Sequence, residues 1–132
     1  VGYEKVAREY QRSRVFTASP VEIIVMLYDA ALSHLENAQV AMQQSNRGAA
    51  GTYLSRAQRI VAELVSSLDR VGGGDIARRL DGLYAFVLDR LLRGNIRQEP
   101  AALAEAARVM GILREAWVIV TPTDKGGSPG AV

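Results

Sequence analysis

Apolar side chains recur along this chain in four long runs of three- and four-residue steps, and the runs are separated by short stretches of glycine, asparagine and proline. That pattern predicts four amphipathic helices. The first run is Ile23, Leu27, Ala31, Leu35, Ala38 and Met42, widened by Ile24 and Tyr28, with Asp29, Ser33, Glu36 and Gln43 on the opposite face. Its start is spelled out chemically. Ser19 is placed to cap the first turn, Pro20 fits the first helical position, and Glu22 can reach back to the Ser19 amide, while Ala18 and Ile23 stand where a hydrophobic staple would form. The helix is expected over Ser19 to Gln44, with stop chemistry at Ser45-Asn46-Arg47-Gly48.

The second run, Tyr53, Ala57, Ile60, Val61, Leu64, Leu68 and Val71, is expected to close at Gly72-Gly73-Gly74. Asp75 is placed as the cap of the third, in which Ile76, Leu80, Leu83, Tyr84, Val87, Leu88, Leu91 and Leu92 make a broad apolar face ending at Gly94-Asn95. The fourth starts near Pro100 and carries Leu103, Ala106, Met110, Leu113, Trp117 and Val120 in the alternating steps of a bundle seam. A second row runs beside it: Val109, Ile112, Ala116 and Ile119. That row either faces a neighbouring helix inside an ordinary core or lines an open groove.

Short connections between four such helices predict an all-α, antiparallel up-down four-helix bundle over residues 1–120. Residues 1–18 form an N-terminal arm with Tyr3, Val6, Ala7 and Tyr10 at helical spacing, too short to be stable alone. It reads either as a fraying terminus or as a lid over an apolar groove. Residues 121–132, rich in turn formers, are expected to be a flexible tail.

Composition narrows the function. At 132 residues the chain suits one domain that can bury a core without staples. Sixteen basic against fourteen acidic side chains, spread along the sequence, give a net charge of +2, which speaks against a dedicated nucleic-acid binder. There is no cysteine, which fits a reducing compartment and removes thiol chemistry. No apolar run approaches the ~20 residues of a membrane span, and no leader-like pattern opens the sequence, so a cytosolic protein without membrane insertion is expected. The chain opens on Val1 rather than Met, so the natural start is expected to lie upstream.

Catalytic chemistry has little to stand on. His34 is the single histidine, at the edge of the first stripe, and no set of carboxylates converges on it at metal-ligand spacing. The triple glycine is followed by no Lys-Ser/Thr pair and preceded by no strand, so it is not a phosphate loop. Asp81 and Asp89, two turns apart, read as solvated charges. No enzyme activity, cofactor or metal is expected.

Several motifs carry a family resemblance: Tyr10-Gln11, Val15, Thr17-Ala18-Ser19-Pro20, Met26-Leu27-Tyr28-Asp29, Leu80-Asp81-Gly82-Leu83-Tyr84, Leu91 with Asn95, and Leu113-Arg114-Glu115-Ala116-Trp117. In this order and spacing, from about Tyr3 to Val120, the chain resembles the flagellar secretion chaperone family FliS. The resemblance implies a helical-bundle chaperone without ATPase activity, which binds the disordered C-terminal segment of flagellin, prevents premature polymerisation and delivers it to the export gate of the flagellar type III secretion apparatus. On that reading Val6 and Tyr10 belong to the movable arm, and Ile60, Leu64, Tyr84, Val87, Leu91, Ile112 and Ile119 contribute groove surface. The free protein is expected to be a monomer or weak homodimer. The alternative is a structural module that self-associates through the same surplus apolar face.

Overall fold

The computed structural model describes residues 15–17 and 20–126, the last seven of these as backbone only. The expectations for Val6, Tyr10, Ala18 and Ser19 therefore fall outside the described residues. Four helices make up the fold: α1 (Val21–Gln43), α2 (Arg47–Ser66), α3 (Gly74–Arg97) and α4 (Pro100–Gly126). Their connections are too short for anything but antiparallel neighbours. Around the bundle α1 packs on α2 and α4, and α3 packs on α4 and, least extensively, on α2.

The helix ends differ from the sequence reading in instructive ways. Pro20 is the cap of α1 rather than its first helical residue: its backbone is extended, and its carbonyl accepts from the amides of Ile23 and Ile24. A proline locked at φ −64° enters a helix equally well from either position. At the other end Ser45 takes the left-handed turn, with φ 58°. Asn46, expected as a stop, is a start: its side-chain oxygen accepts from the Ala49 amide at 3.1 Å and caps α2.

The second run does not continue to the triple glycine, because the chain ahead of α1 competes for its end. The Thr17 amide donates to the Ser67 carbonyl at 2.9 Å and the Asp69 amide to the Val15 carbonyl at 2.6 Å, an isolated antiparallel bridge that ends α2 at Ser66. Leu68 is buried under that bridge, whereas Val71 points into solvent at 94% exposure. Gly73 is required here. A Cβ on it would lie 2.6 Å from the Asp69 carbonyl oxygen and 3.2 Å from the Val15 Cα, both backbone atoms with no room to yield.

Asp75 lies in the first turn of α3, paired with Arg78, and Gly73 takes the cap position. The helix runs through Gly94-Asn95 to Arg97, where Gln98 adopts the left-handed conformation with φ 52°. Gly94 is thus a packing glycine: its missing side chain lets Leu103 of α4 approach to 3.2 Å of where a Cβ would sit. Helix α4 likewise extends past Val120 to Gly126.

One contiguous core fills the bundle, with Ile24, Tyr28, Leu35, Leu54, Val61, Leu64, Leu80, Tyr84, Val87, Leu91, Leu103, Met110 and Trp117 at its centre. Among the described residues it holds a polar network. The Trp117 indole N–H donates to the Tyr28 hydroxyl at 3.0 Å, and the Tyr28 and Tyr84 hydroxyls lie 2.6 Å apart, linking α4, α1 and α3. Tyrosine and tryptophan are tolerated deep in a core when their polar ends find such partners.

Candidate functional site

Apolar side chains stay exposed at Val40, Leu92 and Ile96, and two longer apolar surfaces run along seams between helices. The first lies on the edge between α3 and α4. Its register is fixed by two contacts: Arg90 donates to Glu105 at 3.2 Å, and Gly94 receives Leu103. The helices are antiparallel, so stepping one turn back along α3 and one turn forward along α4 brings Phe86 beside Val109 and Leu83 towards Ile112. Phe86 is 42% exposed and Ile112 59%, with Leu83 close behind; Val109, Ala116 and Ile119 are half-buried alongside. The result is a stripe closed at one end by charge. Arg90 stands over the Phe86 ring at 5.4 Å and is shared between Asp89 and Glu105. The hydrogen bond from Arg90 holds the Asp89 carboxyl below its ordinary range, with Arg93 adding to the effect against partial desolvation.

The second surface is a groove of about 380 Å³ between α1 and α2, lined by Ile23, Leu27, Arg59, Ile60, Glu63 and Ser67. Met26, 66% exposed, stands on the neighbouring turn of α1. Further along the same seam His34 stacks on Tyr53 with ring centroids 6.3 Å apart, a packing role at the helix edge. Among the described residues α1 stands diagonally across the bundle from α3, which it meets through the Tyr28–Tyr84 pair in the core, and α2 stands diagonally across from α4, so the two surfaces lie on opposite sides of the bundle.

The sequence-predicted groove residues divide accordingly. Ile112 is exposed on the α3–α4 stripe, Ile119 is half-buried beside it, and Ile60 lines the α1–α2 groove. Leu64, Tyr84, Val87 and Leu91, expected as groove surface, lie inside the bundle instead. All four are completely enclosed in the core and offer a partner no open surface in this conformation. The reason is angular: Tyr84, Val87 and Leu91 lie on the face of α3 aimed at the bundle axis, about a quarter-turn from the stripe. Leu83 and Phe86 occupy that flank instead, and their three-residue spacing beside the core row was the signal that could have found them. Ile23 and Leu27, both on the apolar stripe of the first run, form groove wall.

The serine and threonine hydroxyls with hydrogen bonds among the described residues donate to backbone carbonyls, and no group of three potential metal ligands converges there. No described helix is long and apolar enough to cross a membrane.

A small helical bundle with surplus apolar surface on two sides has the build of a protein-binding module. The family model described as "Flagellar protein FliS" matches residues 3–124, and the chain belongs to the FliS family, a family of chaperones and not of enzymes. It is 35% identical to the flagellar secretion chaperone FliS of Salmonella typhimurium over 122 residues, covering 92% of this chain and 90% of that protein. The corresponding protein of Vibrio cholerae is 34% identical over 91% of this chain and 86% of its own length, and that of Bacillus subtilis 30% identical over 82% and 80%.

Proposed function

We propose that this protein is a cytosolic export chaperone that binds the disordered C-terminal segment of flagellin, keeps it from polymerising early and delivers it to the flagellar type III secretion apparatus. The observation that carries this reading is the open apolar stripe of Leu83, Phe86, Val109 and Ile112 on a FliS-family bundle. An amphipathic client helix laid along it would remove that surface from water, the helix-in-groove mode of recognition. The groove on the opposite side supports a client that wraps, since one rigid helix cannot reach both. Binding is coupled to folding, so apolar burial has to offset the ordering of the client. Release needs no hydrolysis if the export gate competes for the same segment.

Isothermal titration with the last several dozen residues of the cognate flagellin tests the reading. The expected result is a one-to-one complex, with a negative heat-capacity change from apolar burial. A protein that stays a tight dimer and ignores the peptide would instead support self-association through the stripe.

A further inference from the structure

We infer that the outer face of α2 receives an acidic block at one end of a partner helix whose apolar side lies in the adjoining α1–α2 groove. This builds on the chaperone reading by assigning the client a charge pattern.

Helix α2 carries Arg47, Arg56 and Arg59 against one acid, Glu63. The three arginines surround a shallow depression of about 570 Å³ whose remaining wall is Gly48, Gly51, Thr52 and Ser55. Its floor is close to bare backbone, because a Cβ on Gly51 would meet nothing within 4 Å. Elsewhere Arg70, Arg78, Arg90, Arg93 and Arg114 are each matched to a carboxylate, and Arg79, Arg97 and Arg108, which make no ion pair among the described residues, do not share a depression with one another as the three of α2 do. Among the described residues, Arg47, Arg56 and Arg59 make no ion pair, and Arg56 lies over the Tyr53 ring at 5.7 Å. The amino-terminal end of α2 adds potential of the same sign beside Arg47 and Gly48.

Continuity decides what the depression is for. Arg59 lines both this depression and the apolar groove of Ile23, Leu27 and Ile60, so apolar and cationic surface form one track. A nucleic acid would use the cations and waste the groove. A protein helix with an apolar face and a terminal run of glutamate or aspartate uses both, its carboxylates accepting from guanidinium groups that have no competing acid except Glu63.

The test uses fluorescein-labelled amphipathic peptides that share one apolar face. They carry a run of four glutamates at either the amino or the carboxyl end, or four glutamines in the same places. Anisotropy titrations of the full chain at low salt should show the better glutamate peptide binding about tenfold tighter than its glutamine twin, since three exposed ion pairs contribute a few-fold each. The preference should disappear at high salt and in the triple variant Arg47→Gln, Arg56→Gln, Arg59→Gln, and should shrink in Arg59→Gln alone. The thermal melts of both variants should match the parent, as all three side chains are exposed. Equal affinity for the two peptides, a preference that survives the triple substitution, or no binding of any peptide would overturn the inference. So would a DNA duplex that binds as tightly and is lost in the same variant. Titrating the flagellin segment in parallel separates the two readings: its failure beside an intact glutamate preference withdraws flagellin alone, and the opposite pattern withdraws the acidic track alone.

Discussion

Truncating Ile112 and Leu91 to alanine should have opposite consequences, although both belong to apolar rows of neighbouring helices. Leu91 is completely buried in the core cluster, so Leu91→Ala removes enclosed volume and should cost about 2–5 kcal/mol. At this chain length that lowers the melting temperature by roughly 6–20 °C. Ile112 is 59% exposed, and Ile112→Ala on a helix surface should change stability by no more than about 0.5 kcal/mol, with alanine's helix preference offsetting the lost contact. Its effect belongs to binding. Covering the exposed part of an isoleucine is worth about 1–2 kcal/mol, so Ile112→Ala should weaken the flagellin segment by roughly 5–30-fold. Circular dichroism melts and isothermal titration on the same two variants supply both numbers. An Ile112→Ala protein with unchanged client affinity would refute the assignment of the α3–α4 stripe, and a Leu91→Ala protein that melts like the parent would refute the packing argument.

Other residues give independent checks. Tyr28→Phe deletes the hydroxyl that accepts from Trp117 and shares a hydrogen bond with Tyr84, so it should cost about 1–3 kcal/mol in a denaturant titration and alter Trp117 fluorescence, more than Tyr84→Phe does. Gly82→Ala should raise stability by about 0.5–1 kcal/mol, because its Cβ meets nothing within 4 Å. Gly94→Ala should lower it by about 1 kcal/mol, since a Cβ there presses on Leu103 at 3.2 Å, and thermal melts of the pair should differ in sign. Asp89 should titrate below a free aspartate in an NMR experiment, chiefly through its hydrogen bond from Arg90, and Arg90→Gln should bring it back up. A depressed folded-state value gives stability that is present above the unfolded pKa and lost as pH falls through the folded one, so only the acid limb of the stability profile should flatten in that variant.

The four helices were legible because bundle packing imposes a strong period, and each apolar run maps onto a helix of the fold. What escaped the pattern was set by partners distant along the chain. No local signal says that Val15–Thr17 will pair with Ser67–Asp69 and cut α2 short, or that Gly94 serves a neighbouring leucine instead of a helix end. The exposed apolar surface was legible only in part for a related reason. Stripe width reveals that a helix has more apolar surface than one neighbour can cover, but it does not say which flank is left over. The exposure of Ile112 is legible because it sits in a row separate from the seam, whereas only the register of α3 against α4 separates the buried Tyr84, Val87 and Leu91 from their exposed neighbours.

The opposed placement of the two apolar surfaces constrains any client more than either surface does alone. Packed helices lie about 8–10 Å apart with side-chain diameters near 10 Å, so the bundle is roughly 20 Å across. A chain leaving the α1–α2 groove for the α3–α4 stripe must pass round the outside of the bundle over two helices, a path of roughly 30 Å that takes about nine or ten residues in extended form at ~3.3 Å each. A pre-folded helical hairpin, with its elements 10 Å apart, cannot straddle the bundle. Two amphipathic pieces joined by an extended linker can, and the second piece then docks intramolecularly at an effective concentration set by the linker. On the proposed chaperone reading, two shallow apolar surfaces, each weak by itself, thereby select for a client that is unfolded when it arrives, the state suited to passage through an export channel.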